Sequence, residues 1–256
     1  MILKGRSISS GKAEGEVLKL EESFSFLGGV NGSTGELKTG ENVSGKIFVF
    51  PAGRGSTVGS YVMYDLALHK KAPAAVINES AETIVATGAV ISSIPMVDRI
   101  DVSLLRTGDR VRVDADRGEI EILNVKTVET VSSAVVCDGK VLLLRRPDTA
   151  RSFPSVWSLV AGKIEKGETP EEAARREIME ETRISVSEPV SRCDYILVRE
   201  GEIIWKVYPF MYRVDRAEPV LNKENTEFRW AKPEEIKDVP AVDMTYEVVT
   251  EMIGKS

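Results

Sequence analysis

The chain has 256 residues, of which 42% are hydrophobic and 29% charged, and its formal net charge is −6. This length is sufficient for two domains, and the composition is that of an ordinary soluble globule. The negative charge argues against a nucleic-acid backbone as the main partner.

Residue types that are scarce exclude further classes of protein. No apolar run approaches the 18 residues of a membrane span, and the first 15 residues lack an apolar signal core, so we expect a cytoplasmic protein with no membrane partner. Cys137 and Cys193 are the only cysteines, too few for an iron–sulfur cluster or a disulfide framework. His69 is the only histidine, which excludes a histidine-dependent triad or a histidine-rich metal site within one chain.

The two halves of the chain differ in composition. Fifteen of the 20 glycines precede residue 126, whereas eight of the 11 prolines and all three tryptophans follow it. We therefore predict an α/β protein with one domain over residues 1–125 and a second over residues 126–256. The connection near residues 124–130 lacks glycine and proline, so we expect it to be short and only modestly flexible.

The first half consists of short β-rich or apolar runs bounded by Gly, Ser, Asn or Pro, which is typical of strands joined by turns. These runs are MILKGRSI, GEVLKL, GKIFVF, PAAVIN and GEIEIL. Apolar residues at helical spacing predict a helix from Tyr61 to Lys71, and a second short helix is predicted from Glu82 to Thr87. Because strands outnumber helices, we expect a compact β/β/α body.

A glycine-rich loop, PAGRGSTVGS, joins the strand Lys46 to Phe50 to the first predicted helix. Its backbone N–H groups and the positive end of the helix can face an anion, and Arg54 adds a full positive charge. The alternative is a plain turn in which Ser56 or Thr57 caps the helix. The loop is not a Walker A motif, because the Gly-Lys-Ser/Thr ending is missing.

A family resemblance that covers nearly all of residues 1–123 is carried by four segments: SFSFLGGVNGSTGEL, GRGST, PAAVINESAETIVATGAVISSIPMVDRID and GDRVRVDADRGEIEIL. Together they resemble the small subunit of aconitase-X proteins, the swivelling domain of archaeal phosphomevalonate dehydratase. The resemblance implies dehydration of 5-phosphomevalonate, in the mevalonate route of isoprenoid biosynthesis. It implies that Ser56 abstracts the proton, and that Gly53, Arg54, Gly55 and Thr57 bind the substrate.

The same resemblance implies a heterodimer, in which a separate large subunit holds the iron–sulfur cluster. A serine hydroxyl is a poor base, so proton abstraction beside a carboxylate requires a positive environment. Arg54, the loop amides and the helix end can supply part of it. The cluster iron, acting as a Lewis acid on the leaving hydroxyl, would supply the rest from the partner chain.

The second half begins with two apolar runs, VSSAVVC and KVLLLRR, separated by Asp138-Gly139, which is a strong hairpin signal. A loop through Phe153 and Pro154 then leads to Trp157. Another hairpin is predicted around Glu200-Gly201, followed by a strand from Glu227 to Ala231 and a helix from Asp243 to Ile253. This order fits an α/β/α sandwich with a mixed sheet.

A dense run of carboxylates lies in GKIEKGETPEEAARREIMEETRI, residues 162–184. On a helix that begins near Thr169, steps of three and four residues place Glu177, Glu180 and Glu181 on one face, within about 6 Å of one another at Cβ. Such crowded like charges repel unless a cation separates them, and oxygen ligands select Mg²⁺ or Mn²⁺. The alternative is a solvated helix crossed by Glu–Arg pairs.

Gly162, Glu168, Arg176 and the following acidic run stand at the spacing of the Nudix box, and residues 130 to about 254 resemble a Nudix hydrolase. Two positions depart from the family pattern. Arg183 stands where the family has glycine, and Val160-Ala161 replaces the commoner Pro-Gly. Both are backbone positions, so they concern loop geometry more than metal binding.

The Nudix resemblance implies hydrolysis of a nucleoside diphosphate linked to another group. It implies a Mg²⁺ or Mn²⁺ ion held by Glu177, Glu180 and Glu181, with Glu168 helping directly or through water. Arg176 would orient these ligands, and Glu180 is also counted among the catalytic residues. Two residues, Glu224 and Glu227, are candidates for the general base, and surface charge beside a strand is an equal alternative for both.

Three functional hypotheses remain open from the sequence. In the first, the chain fuses a dehydratase small subunit to a Nudix hydrolase, acting on small-molecule phosphates and diphosphates. In the second, only the Nudix half is catalytic and the first half docks a large subunit. In the third, the Nudix half binds a nucleotide or isoprenoid diphosphate without hydrolysing it and reports pathway state.

Overall fold

The computed structural model describes residues 1–150, 154–215, 218–242 and 245–255. The chain separates into two compact units. The first contains Met1–Lys126 and Gly201–Ile204, and the second contains Thr127–Glu200 and Trp205–Ser256. Within the described ranges, no helix has the length and apolar character needed to cross a membrane.

The first unit is built on an eight-stranded sheet with the order β1-β8-β7-β3-β4-β5-β6-β2. Strands β3 to β6 are mutually parallel, and the remaining pairs are antiparallel. The strands are β1 (Ile2–Lys4), β2 (Arg6–Ser9), β3 (Lys12–Lys19), β4 (Ile47–Val49), β5 (Ala75–Ile77), β6 (Met96–Asp98), β7 (Arg110–Asp114) and β8 (Glu119–Ile122). The five predicted runs contain six of these strands, and β6 and β7 were not predicted.

Two helices, α2 (Gly59–Leu68) and α3 (Thr83–Ile91), pack against this sheet, and a single helical turn, α1 (Phe26–Gly29), precedes them. A 3₁₀ helix spans Val102–Leu104. Helix α2 ends earlier than predicted because the chain leaves helical geometry at Lys70, where φ is +56°. Helix α3 extends beyond the predicted end at Thr87 and ends at Ile91.

The core of the first unit joins the parallel strands to the helices. Four phenylalanines from two segments of the chain form one aromatic cluster, with ring centroids 4.9 to 6.2 Å apart. They are Phe24, Phe26, Phe48 and Phe50. Met63 and Leu66 of α2 and Val85 of α3 complete this core. Burial of these apolar side chains fixes the loop that connects β4 to α2 at the carboxyl end of the parallel strands.

The second unit contains strands β9 to β16, two helices and a 3₁₀ helix at Pro233–Asp238. The main path of its sheet is β11-β10-β9-β15-β13, with β12 beside β9, β14 beside β15 and β16 beside β10. The strands are β9 (Lys126–Cys137), β10 (Lys140–Arg145), β11 (Trp157–Ser158), β12 (Val160–Lys163), β13 (Ser191–Arg192), β14 (Ile196–Glu200), β15 (Ile203–Arg213) and β16 (Glu227–Ala231), and the helices are α4 (Pro170–Thr182) and α5 (Thr245–Lys255).

The local predictions for this half agree with the structure at most points. Asp138 and Gly139 have φ of +49° and +72°, the positive values that a tight hairpin turn requires, and they join β9 to β10. The strand Glu227–Ala231 has the predicted bounds. Of the predicted loop and last helix, Phe153, Asp243 and Met244 lie outside the described residues. The segment predicted as a short, modestly flexible connection is strand from Lys126 onward.

Alternation along β9 creates two cores, one on each face of the sheet. Val131 and Val135 pack with the buried side of α4, whereas Ala134 and Val136 pack with α5. Because successive side chains of a strand point to opposite faces, this places one helix on each side. The predicted α/β class, with two domains and a mixed sheet in the second, is confirmed.

Candidate functional site

Helix α4 is defined at its first turn by a complete capping box. The Thr169 hydroxyl oxygen accepts a hydrogen bond from the Glu172 N–H at 3.3 Å, and the Glu172 carboxylate accepts one from the Thr169 N–H at 2.8 Å. Pro170 occupies the first helical position, where its missing N–H costs nothing. Ala174 and Ile178 are fully buried against the sheet. The helix is thereby held rigidly, with its acidic residues beside strand β12.

The three predicted metal ligands on α4 differ in their exposure to solvent. The side chains of Glu177 and Glu180 are 12% and 55% exposed, and Glu181 is 4% exposed. Glu180 accepts a hydrogen bond from Arg176 at 3.4 Å. Glu181 is therefore buried, Glu177 is mostly covered, and Glu180 lies at the solvent edge.

Arg176 holds the predicted acidic residues together. Its Nε and Nη2 donate to the two carboxylate oxygens of Glu168 at 2.7 and 3.0 Å, and its Nη1 donates to Glu177 Oε1 at 2.8 Å. Nη2 also donates to the Lys163 carbonyl oxygen at 3.0 Å. The hydrogen bonds from Arg176 lower the pKa of Glu168 to about 2. Glu168 is thus ionised at any physiological pH.

Gly162 makes room for Glu177. A Cβ atom built on Gly162 would overlap the carboxylate of Glu177. The φ of Gly162 does not lie in the left-handed region, so the motif glycine matters at this position for the space it leaves and not for its backbone conformation. The strand β12 and the helix α4 therefore meet at a carboxylate that any larger residue at position 162 would displace.

Burial perturbs the two inner carboxylates. It raises the pKa of Glu181 to about 8; a hydrogen bond from Asn225 opposes that shift, and the negative charges of Glu177 and Glu224 add to it. Burial also raises the pKa of Glu177, against the effect of Arg176, and Glu180 and Glu224 add to this shift. The cause is the cost of concentrating negative charge away from water.

The two candidates for the general base occupy different surroundings. Glu224 is exposed and precedes Asn225, whose side chain donates to Glu181, and the negative charge of Glu224 acts on both Glu177 and Glu181. Glu227 stands opposite Arg145 in the β10–β16 ladder, and their side chains form a 2.6 Å ion pair. Of the two candidates, Glu224 is therefore the one next in the chain to a hydrogen-bond partner of Glu181.

Donor chemistry at this site fits a hard divalent ion, although the site is not preassembled. Among the described residues, no three acidic, histidine or cysteine side chains converge closely enough to surround a metal. Arg176 pairs with one oxygen of Glu177, and the other oxygen, Oε2, has no hydrogen-bond partner in the described part of the chain. All the available donors are carboxylate oxygens, and a cation would relieve the repulsion between them.

The second predicted site lies in the first unit, in the loop between β4 and α2. Gly55 has a φ of +104°, and a Cβ on it would lie 2.6 Å from Ser25 Oγ. The position therefore requires glycine on both conformational and steric grounds. A Cβ on Gly53 would overlap Val85. The Arg54 N–H donates to the Phe24 carbonyl at 2.9 Å, which fixes the loop beside the end of β3.

Ser56 participates in the turn that begins α2. Its Oγ accepts a hydrogen bond from the Val58 N–H at 3.3 Å, and its carbonyl accepts one from the Gly59 N–H at 2.8 Å. In the described chain, the N–H groups of Gly55, Ser56 and Thr57 and the guanidinium of Arg54 have no partner. The sequence left open whether this loop is a plain turn that begins the helix or a loop whose amides face an anion. The structure has features of both. The helix amides are used internally, and the three loop amides are free.

Asn225 was missed by sequence reasoning. It is 7% exposed, and its Nδ2 donates to Glu181 Oε2 at 2.7 Å. It lies in a polar run, LNKENTE, that has no periodicity and matches no quoted motif. The only signal available was its position next to Glu224.

Two family models match the chain. The aconitase X swivel domain matches residues 2–122, and the NUDIX domain matches residues 128–251. The phosphomevalonate dehydratase small subunit of Thermococcus kodakarensis is 60% identical over 129 residues, which are 48% of this chain and 97% of that protein. The corresponding protein of Methanocaldococcus jannaschii is 49% identical over 129 residues, covering 48% of this chain and 99% of that protein.

Among solved structures, the MutT protein from Methanosarcina mazei Go1 is similar to 52% of this chain and 97% of its own, with 24% identity and a TM-score of 0.48.

Proposed function

Since the chain belongs to the aconitase X swivel family through residues 2–122 and contains a NUDIX domain at residues 128–251, we propose that it joins a dehydratase small subunit to a diphosphate hydrolase. The first half, residues 1–125, pairs with a separate large subunit that holds an iron–sulfur cluster. Together they dehydrate phosphomevalonate, the substrate in the names of its relatives. The second half, residues 126–256, hydrolyses a diphosphate linkage.

One observation carries the hydrolase proposal. Glu181 is buried, Glu177 lies against Gly162 with its side chain 12% exposed, and the negative charge of the exposed Glu224 acts on both. Burying the Glu181 carboxylate near two other negative charges costs stability unless something positive balances it. The arrangement is reasonable where a divalent cation binds, and Mg²⁺ or Mn²⁺ suits these ligands.

Each acidic residue has a separate role in hydrolysis. Glu177 and Glu181 would hold the ion, with Glu168 and Glu180 at the outer edge of the site. When bound, the ion supplies positive charge to the diphosphate and makes a bound water easier to deprotonate. Glu224 accepts a proton from the water whose oxygen bonds to phosphorus as the bridging P–O bond breaks. Arg176 orients Glu168 and Glu177 through its hydrogen bonds.

The dehydratase proposal depends on the loop that contains Ser56. The free amides of residues 55–57 and the guanidinium of Arg54 support binding of an anionic group of the substrate, and Gly53 and Gly55 let the backbone approach it closely. Ser56 would accept the proton next to the substrate carboxylate. Since the first half has no cluster ligands of its own, the leaving hydroxyl would be activated by the large subunit.

The hydrolase is tested by measuring phosphate and pyrophosphate release from a panel of nucleoside diphosphate derivatives and isopentenyl diphosphate. We expect Mg²⁺-dependent turnover of at least one compound, abolished by EDTA and strongly reduced by Glu224→Gln. Tight binding of one compound with no turnover of any would support a sensor instead. The dehydratase is tested by reconstituting the chain with its large subunit and measuring dehydration of 5-phosphomevalonate.

A further inference from the structure

The segment from Val220 to Thr226 is hydrogen-bonded to the end of α4 on one side and to the sheet on the other. The Val220 N–H donates to the Thr182 carbonyl oxygen at 2.8 Å, and the Asn222 N–H donates to the Glu181 carbonyl oxygen at 3.3 Å. At its other end, the Thr226 N–H donates to the Arg145 carbonyl oxygen at 2.9 Å. Both ends of the segment are therefore fixed, and residues 223–225 have little freedom to move between them.

Asn225 lies inside this fixed segment with its side chain directed inward. At 7% exposure, its amide has lost most of its contact with water, which is unfavourable unless it is hydrogen-bonded. The partner of its Nδ2 is Oε2 of Glu181, at 2.7 Å. A buried amide has thus been matched to one oxygen of a buried carboxylate.

The chemical nature of this donor bears on what Glu181 can do. A lysine or arginine at position 225 would neutralise the Glu181 carboxylate and compete with any other cation. An amide fixes the oxygen and leaves the negative charge of the carboxylate available. Arg176 has the opposite relation to Glu168, which it pairs with through two hydrogen bonds.

We propose that Asn225 is a positioning residue of the hydrolase site, which orients Glu181 for a divalent ion and fixes it relative to Glu224, its neighbour in the chain. The inference rests on the proposed hydrolase function. Residues that orient metal ligands through hydrogen bonds typically contribute about 10- to 100-fold to metal affinity or activity. Asn225 touches neither the reacting atoms nor the ion, and its effect acts through Glu181.

The test uses the full chain and Mn²⁺ alone, with binding followed by titration calorimetry and by the electron paramagnetic resonance of free Mn²⁺. Asn225→Leu keeps the branched side-chain shape and removes the amide, so we expect about 10- to 100-fold weaker Mn²⁺ binding. Asn225→Gln keeps an amide on a longer arm and should recover part of that loss. Unfolding in EDTA verifies that each variant is folded.

Asn78→Leu is the matched control, because Asn78 is also a buried asparagine, whose Nδ2 donates to the Phe50 carbonyl oxygen in the first unit. It should lower stability without changing Mn²⁺ affinity. If Asn225→Leu is folded and binds Mn²⁺ as tightly as the wild type, the role of Asn225 is refuted and the hydrolase proposal is unaffected. The same holds if Asn78→Leu weakens Mn²⁺ binding as much as Asn225→Leu does. If Asn225→Leu does not fold, the test uses Asn225→Gln. Mn²⁺ binding by Asn225→Gln that is weaker than that of Asn78→Leu supports the role of Asn225, and Mn²⁺ binding equal to that of the wild type refutes it. Wild-type protein that takes up no Mn²⁺ would overturn the proposed hydrolase and this inference together.

Discussion

The Glu177 carboxylate occupies the volume in which a side chain on Gly162 would begin, so a larger residue at position 162 would force that carboxylate to move. The glycine at the start of the Nudix-type motif and a glutamate fifteen positions later are thus two parts of one steric arrangement. A substitution at position 162 should act on the proposed metal site through Glu177.

Gly162→Ala should therefore displace Glu177 and weaken Mn²⁺ binding. It should also lower the free energy of unfolding in EDTA by about 1–3 kcal/mol, the usual cost of overpacking. Titration calorimetry and denaturant unfolding measure the two effects. Gly254→Ala is the control, since nothing lies within 4 Å of a Cβ at that position of α5. Wild-type Mn²⁺ affinity in Gly162→Ala would contradict the prediction.

The two proposed activities should fail separately. Ser56→Ala should abolish dehydration by the complex with the large subunit and leave diphosphate hydrolysis unchanged, because it removes only the proposed base of the first half. Glu224→Gln should reduce hydrolysis about 10²- to 10⁴-fold, the usual contribution of a general base, and leave dehydration unchanged. Both assays are run on the same reconstituted complex. Continued dehydration by Ser56→Ala would exclude Ser56 as the base.

Arg183→Gly should stabilise the second unit. Arg183 ends α4 with a φ of +59°, a left-handed conformation that costs a residue with a Cβ about 1–2 kcal/mol. Part of the gain is lost to the greater flexibility of glycine in the unfolded chain, so we expect a net increase of about 0.5–1 kcal/mol in the free energy of unfolding. Lys70→Gly, at a φ of +56° in the first unit, should change stability in the same direction. Unaltered denaturation midpoints in both variants would refute this account.

Stability at low pH should depend on Asp98, which is 1% exposed. Burial alone would raise its pKa, but hydrogen bonds from Arg6 and the Ala81 N–H, together with the charge of Arg6, hold the pKa below the ordinary value of 3.8. A carboxyl whose pKa is lowered in the folded state stabilises that state above its unfolded pKa. The contribution is lost as the pH falls from about 3.8 through the lower folded value.

Asp98→Asn should thus cost about 1.5–3 kcal/mol at neutral pH, since hydrogen bonds to a charged acceptor are replaced by weaker ones. It should also remove this component of the acid sensitivity of the first unit. Circular dichroism during denaturant titrations at several pH values measures both effects. A variant that loses stability below pH 4 as steeply as the wild type would count against the role of Asp98.

The sequence predicted features that depend on neighbours along the chain. The helix of the acidic motif and its start near Thr169 were predicted from helical spacing, which is local, and the structure has the helix over Pro170–Thr182. Strand β7, RVRVD, was not predicted although it alternates charged and apolar residues as a half-buried strand does. Its arginines pair with Glu14 on β3, far away in the sequence, and with Glu121 on the next strand, β8.

The choice between Glu224 and Glu227 could not be made from the sequence for a similar reason. The two residues lie three positions apart, and both precede or begin a predicted strand. The register of β16 on β10 sets Glu227 opposite Arg145 and leaves Glu224 on the approach to α4. Register is a relationship between segments more than 80 residues apart, and spacing within one segment does not encode it.

The hydroxyl of Ser56 accepts a hydrogen bond from its own turn, and within the described residues no side chain is placed to take its proton. If the dehydratase proposal holds, purification of this chain alone would yield a catalyst with a single detectable reaction. Its other reaction would go unrecorded in any survey that tests proteins one at a time, and would be found only by co-expression with its partner.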